Sequence, residues 1–348
     1  MDDKVQPGAA AEVAAKVQPV AFDAAHLEAF RAKLPFEVVA TKLPGVFAGK
    51  ALPAGFDLNT ATPAALRAHG IFWNRPAPDA DPRLVAAWKE AAERAQNVKE
   101  WLVPELEVQV GKRHVLGPVT HQSDGTYTGK IWSGGVLPGK WTGVIGQWNV
   151  PTVSKPPEPA GAGGIWTSSS WVGLDGAYGS NDVLQAGVQQ QVDAHGNASY
   201  VAWYEWYAPQ LPTSPGYIWQ TNITNMPVRP GDTLFCSAQY VGTTAGHLYF
   251  ANLTTNSPPL SLTLAPPPGA SFSGNSAEWI MECNDGGEPA HSLPAFTPVD
   301  FSGGVACSAT GPSANPQTGD NFIIQNGAGK NLTQTTLGDG TVVIKFIG

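Results

Sequence analysis

Apolar and polar positions follow two different periods along this chain, and the change falls near residue 126. Before it the spacing is helical. Ala24, Leu27, Phe30 and Leu34 predict a helix from Asp23 to Leu34. Leu84, Val85, Trp88, Ala92, Ala95 and Trp101 predict another, opening at Asp81-Pro82 and reaching about Leu102. Between them Thr62 can cap a short helix, Pro63 suits its first position, and Gly70 supplies a left-handed stop. Residues 1–20, rich in Ala, Val and Pro, read as a disordered tail.

From about Thr126 the period is two. Short runs around 141–150, 165–175, 183–192, 199–207, 217–224, 232–241, 246–253, 259–265, 276–283, 298–307, 320–326 and 341–347 are rich in Val, Ile, Thr and aromatic residues. Gly, Pro and Asn clusters separate them, which predicts an all-β sandwich or barrel. The chain therefore divides into a small, mainly helical region, 1–125, and a β domain, 126–348.

Alternation assigns faces within the strands, because successive side chains point to opposite sides. Leu184, Ala186, Val188 and Val192 fall on one side, with Gln185, Gly187, Gln189 and Gln191 on the other. Val172 and Leu174 point inward, and Trp171, Gly173 and Asp175 outward. Trp203, Glu205 and Tyr207 share a face, as do Glu278, Ile280 and Glu282. Trp171, Asp175, Gln185, Trp203, Glu205, Tyr207 and Glu282 can thus line one sheet face.

Charge sharpens the division. The first 125 residues hold most of the Lys and Arg, and in the rest acidic side chains outnumber basic ones about two to one. A net charge of −8 without a basic cluster argues against nucleic acid, whose counterions Lys and Arg must replace. No apolar run approaches the ~18 residues of a membrane-spanning helix. Met1-Asp2-Asp3-Lys4 lacks the pattern of a secretory signal. Cys236, Cys283 and Cys307 permit at most one disulfide, with Cys283 and Cys307 the candidate pair, and their spacing fits no zinc site. No cofactor is expected.

Several motifs occur in a fixed order: Trp132-Ser133-Gly134-Gly135, Asn149-Val150-Pro151, Trp171-Val172-Gly173-Leu174-Asp175-Gly176, Leu184-Gln185-Ala186-Gly187, Trp203-Tyr204-Glu205-Trp206-Tyr207, Asn252-Leu253-Thr254 and Ala277-Glu278-Trp279-Ile280-Met281-Glu282. In that order the chain, from about Trp132 to its end, resembles the eqolisins, the glutamic peptidases. The resemblance implies a concanavalin-like antiparallel sandwich of two curved sheets. It implies catalytic roles for Gln185 and Glu282, and substrate-binding roles for Trp132, Trp171, Asp175, Glu205 and Tyr207. It further implies a secreted acid endopeptidase acting on polypeptides, with the first region as the intramolecular inhibitor of a zymogen. Two departures stand out. An acidic residue expected two before Trp203 is Val201, and no cysteine lies between Gly176 and Val183, where fungal members bridge the loop.

Peptide hydrolysis needs a base for water, a donor for the tetrahedral oxyanion and an acid for the departing amine. An ionised Glu282 can take and return the proton, while the Gln185 amide holds the water and faces the oxyanion. With an ordinary pKa of about 4.3, a glutamate base works in acid, where a histidine base does not. Lys and Arg of the first region are expected to pair with Glu205 or Glu282, depressing their pKa values, so that acid releases the cap and cleavage near 111–131 completes activation. Two other functions fit the same residues. Glu205 and Glu282 could serve a glycosidase, and the Trp platform a carbohydrate-binding module.

Overall fold

The computed structural model describes residues 24–73, 75–77, 79–80, 82–109, 112, 114–157, 164–180, 182–208, 218–267, 269–284, 292–309 and 313–348. The expected tail over 1–20, together with Asp23, Asp81 and Arg113, lies outside these residues.

The helices are α1 (Ala24–Arg31), α2 (Pro63–Arg67) and α3 (Pro82–Asn97). Thr62 caps α2, its hydroxyl accepting from the Ala65 N–H at 3.2 Å, and Gly70 has φ 74°. α3 stops at Asn97, short of Leu102, and Trp101 folds back so that its Nε1 reaches the Ala95 carbonyl at 3.4 Å.

The strands are β1 (Val38–Ala40), β2 (Val46–Gly49), β3 (Leu106–Val108), β4 (Val119–His121), β5 (Tyr127–Gly129), β6 (Trp132–Pro138), β7 (Gly143–Asn149), β8 (Val153–Ser154), β9 (Ile165–Asp175), β10 (Val183–Asp193), β11 (Ala198–Tyr207), β12 (Ile218–Ile223), β13 (Thr233–Val241), β14 (Ala245–Asn252), β15 (Leu260–Leu264), β16 (Ser276–Cys283), β17 (Ala295–Phe296), β18 (Val299–Cys307), β19 (Asp320–Ile324), β20 (Thr333–Gly338) and β21 (Thr341–Phe346). They build one sheet in the order β1-β2-β15-β14-β13-β7-β18-β21-β20 and another in the order β3-β12-β11-β10-β9-β16-β6-β19-β5-β4. Neighbours run antiparallel except β5 and β19, which are parallel.

The apolar sides of the long strands meet between the sheets. Leu184, Ala186 and Val188 of β10 and Val172 and Leu174 of β9 join one buried cluster with Leu234 and Cys236 of β13 and Trp148 of β7. Each of these Val and Leu side chains removed from water contributes about 1.5–3 kcal/mol. A second cluster covers the other side of the nine-stranded sheet, where Trp73, Trp88 and Ala92 pack on Phe235, Tyr249 and Ala251. Cys236, Cys283 and Cys307 are buried thiols rather than a bridge. Cys283 belongs to the cluster between the sheets and Cys307 to the one under α3, so the candidate pair is split across a layer.

The first region is interleaved with the β domain. β2 extends the nine-stranded sheet at β15, while β3 and β4 form the opposite edges of the ten-stranded sheet. Of the segment crossing from β3 to β4, the described residues His114 and Leu116 pack on the outer face of that sheet, against Trp203 and the cluster of Trp132, Trp171 and Ile280.

Candidate active site

The outer face of the ten-stranded sheet carries the polar sides of β9, β10, β11 and β16. Gln185 on β10 lies opposite Glu205 on β11 and Gly173 on β9. Trp171 lies opposite Gly187 on one side and Ile280 of β16 on the other. Its indole is accommodated because its neighbours are glycines. A Cβ at Gly187 would stand 2.5 Å from the Trp171 Cβ, and one at Gly173 would stand 2.8 Å from Cζ3 of the indole. Trp171 Nε1 donates to Glu282 Oε2 at 2.7 Å, and Trp132 packs edge-on against the same indole at 5.0 Å.

His114, from the crossing segment, sits among these groups. Its N–H donates to Glu205 Oε2 at 2.8 Å, and its carbonyl accepts from Gln185 Nε2 at 3.0 Å. Gln185 Nε2 also donates to Glu205 Oε2 at 3.1 Å. The imidazole lies flat on the Trp203 indole, with centroids 3.9 Å apart and planes 9° from parallel. Its Nδ1 is 3.2 Å from Glu282 Oε2 and 2.8 Å from the Asn284 amide, and its Nε2 is 2.8 Å from Gln220 Oε1. The two N–H groups of Gln220 are committed to Gln189 Oε1 at 2.9 Å and Asn222 Oδ1 at 2.8 Å. The Gln220 carbonyl oxygen must therefore accept, and His114 Nε2 must donate.

Burial opposes charge on His114, but the attraction of Glu282, then of Glu205 and Gln220, outweighs it and holds the imidazole above its ordinary pKa. Glu282, 3.2 Å from Nδ1, supplies the largest of these attractions. Burial pushes Glu205 up to about 8, against the opposing pull of His114, so its carboxyl is neutral in acid. Glu278, four residues before Glu282 on the same face, is fully buried, and burial raises it well above the ordinary carboxylate range.

Gln185, Glu205, Glu282, Trp171 and Trp132 are thus brought together on one face. Tyr207 lies two residues beyond Glu205, at the end of β11 and opposite Val183. Asp175 departs from the alternation. Its φ of 71° ends the regular strand and turns the carboxylate away. There it accepts from Tyr240 Oη at 2.7 Å, Ser273 Oγ at 2.9 Å and the N–H groups of Gly274 and Asn275 at 2.8 and 2.7 Å. Asp175 therefore anchors the 273–275 loop and does not join the group around Gln185 and Glu282.

As for the expected Lys and Arg pairing, Lys112 is exposed and Arg113 lies outside the described residues, and among those described His114 reaches both carboxylates. The premise of depressed carboxylates fails at Glu205, whose shift is upward. His114, Gln220 and Asn284 escape the sequence reading, and Gln189 is placed by alternation beside Gln185 without a role. His114 lies in a segment without periodicity, 91 residues from Glu205 and far further from Glu282. Among the described residues, no three His, Cys, Asp or Glu side chains gather as metal ligands.

The model of the Peptidase A4 family matches residues 130–346. Aspergillopepsin-2 of Aspergillus niger is 29% identical over 269 residues, which cover 68% of this chain and 88% of that protein. Scytalidopepsin B of Scytalidium lignicola is 29% identical over 202 residues, or 56% of this chain and 68% of that protein. The crystal structure of scytalido-glutamic peptidase with a transition state analog inhibitor superposes with a TM-score of 0.50 at 22% identity. That likeness covers 63% of this chain and 98% of the other, and it is a likeness of fold.

Proposed function

The chain belongs to the Peptidase A4 family and is a glutamic endopeptidase, and from that premise we propose that Gln185 and Glu282 perform its chemistry. In this reading Glu282 takes a proton from water and later gives it to the leaving nitrogen. Gln185 Nε2 faces the oxyanion, and Trp171 fixes the direction of Glu282 through its N–H. Glu205, neutral in acid, receives the backbone N–H of the residue being cut. The observation that supports the reading best is His114, a single peptide residue that touches Gln185 through its carbonyl and Glu282 through its side chain.

The substrates are polypeptides, and the reaction runs in acid because a carboxylate base works there where a histidine base does not. The segment carrying His114 fills the cleft and keeps substrate out, which makes the full chain a zymogen and the first region its inhibitor. The family resemblance points to secretion. A two-carboxylate glycosidase or a carbohydrate-binding module has no comparable support from the family. Casein digestion at acid pH, with wild type, Gln185→Ala and Glu282→Gln compared, tests the pair. Each variant should lose at least a hundredfold in rate. Retained digestion by Glu282→Gln would remove Glu282 as the base.

A further inference from the structure

The residue whose carbonyl meets the Gln185 amide sends its side chain into a niche shaped for one kind of ring. His114 is buried there, with its imidazole flat on the Trp203 indole at 3.9 Å. That floor suits a planar group and offers little to a branched one. At the far edge the Gln220 oxygen stands 2.8 Å from Nε2. Gln189 and Asn222 hold both hydrogens of the Gln220 amide, so the niche presents an acceptor at this edge. Gln220 is only 1% exposed, and a ring without an N–H would leave its oxygen buried and unpaired. Gln189 itself lies opposite Val201 of β11, the position where the family resemblance leads to an acidic residue. The acceptor that ends the niche is therefore an amide. An amide does not titrate, so it keeps this character throughout the acid range, where a carboxylate would gain a hydrogen.

We infer that the niche of Trp203, Gln220 and Gln189 makes this enzyme select polypeptides with histidine immediately before the bond that is cut. The inference rests on the Gln185 and Glu282 reading, which puts the attacked carbonyl at Gln185 Nε2 and so the side chain of that same residue in the niche. Gln220 is then the specificity-determining residue. Phenylalanine stacks on Trp203 as well as histidine does, but turns a C–H edge to the Gln220 oxygen, and its larger ring reaches further from the backbone. Leucine offers neither the plane nor the donor. In acid a substrate histidine is also a cation. It would stand where His114 Nδ1 lies 3.2 Å from Glu282 Oε2, an attraction that a neutral side chain lacks.

The test uses the full chain, held at about pH 4 until its digestion of casein is steady. It is then given internally quenched peptides that differ at one residue, which is His, Leu, Phe or Nε2-methylhistidine, and each cut is located by mass. The expected result is cleavage after the variable residue, with kcat/KM for His about tenfold to a hundredfold above Leu and Phe. Nε2-methylation should abolish that advantage, because it removes the hydrogen that Gln220 accepts and keeps the plane and the charge. Gln220→Leu, with far-ultraviolet dichroism as a fold control, should bring the His and Leu peptides to similar kcat/KM. The methylated peptide makes the same comparison on unaltered protein. Casein digestion with Leu or Phe cut as fast as His overturns the inference and leaves the catalytic reading standing. So does a histidine preference that survives Nε2-methylation or falls at another position. A chain that cuts neither casein nor any peptide overturns both, as does a Glu282→Gln variant that cuts as fast as wild type.

Discussion

The indole N–H of Trp171 donates to Glu282 Oε2 at 2.7 Å, and the same indole leans over Gly173 toward Gln185. One side chain thus spans the distance between the two groups assigned to catalysis. It sets the direction of one and the space available to the other.

Trp171→Phe keeps a ring in this place and removes the donor. A hydrogen bond to a charged group is worth about 1.5–3 kcal/mol, so kcat should fall roughly tenfold to a hundredfold. KM should move little, since the bond orients Glu282 rather than holding substrate. Steady-state kinetics on a casein-derived peptide would check this, and an unchanged kcat would show that Glu282 needs no such tether.

Gly173→Ala places a methyl 2.8 Å from Trp171 Cζ3 and 3.0 Å from the Gln185 Cβ. Overpacking of that kind costs about 1–3 kcal/mol. Activity should fall at least tenfold, because one methyl presses on both Gln185 and the indole that holds Glu282, the two groups assigned to catalysis. Thermal melting and rate measured on the same preparation would separate loss of fold from loss of geometry.

Glu205 gives the closed chain a definite dependence on pH. Its pKa rises from 4.5 in the unfolded chain to about 8 in the folded one, through burial. The folded chain therefore holds the proton more tightly, and its stability falls as pH rises from about 4.5 through 8. The raised pKa of His114 acts in the same sense. Acidification over this window stabilises the folded chain instead of loosening it. The wild-type melting temperature should drop relative to that of Glu205→Gln between pH 5 and 8. A gap that stays constant would contradict the assignment.

His247 pulls the other way. It lies fully buried on β14, against Phe36 at 6.2 Å and Phe72 at 4.7 Å, both from the first region. Burial depresses its pKa to about 3, so its contribution is present above the ordinary value of 6.5 and lost as pH falls through 3. By pH 4 the loss is on the order of 3 kcal/mol. The place where acid loosens the first region is thus its aromatic contact with β14, remote from the cleft. His247→Leu should melt at a less acid-sensitive temperature between pH 6 and 4. Equal slopes would exclude this contact as the acid-sensitive one.

Much of the fold was legible because burial writes period two into the long strands. β9 and β16 occupy the expected 165–175 and 276–283, and Leu184, Ala186 and Val188 face the core as alternation requires. The alternation does not predict β6, because paired glycines at 134 and 135 depress strand propensity. At Asp175 alternation misled because a single left-handed residue breaks the rule. His114 was illegible for a deeper reason. Its role comes from a topology that carries it across strands distant in the chain, and no local pattern encodes that crossing.

That crossing segment behaves like a belt fastened at both rims of the sheet, with β3 stitched to β12 and β4 to β5. Severing a belt in the middle frees neither end. The upstream piece would stay moored by β3, by β2 along β15 and by the tryptophans beneath α3. A nicked molecule would then travel as two chains held without a covalent link, its cleft opened by the retreat of a few residues and not by the loss of a domain.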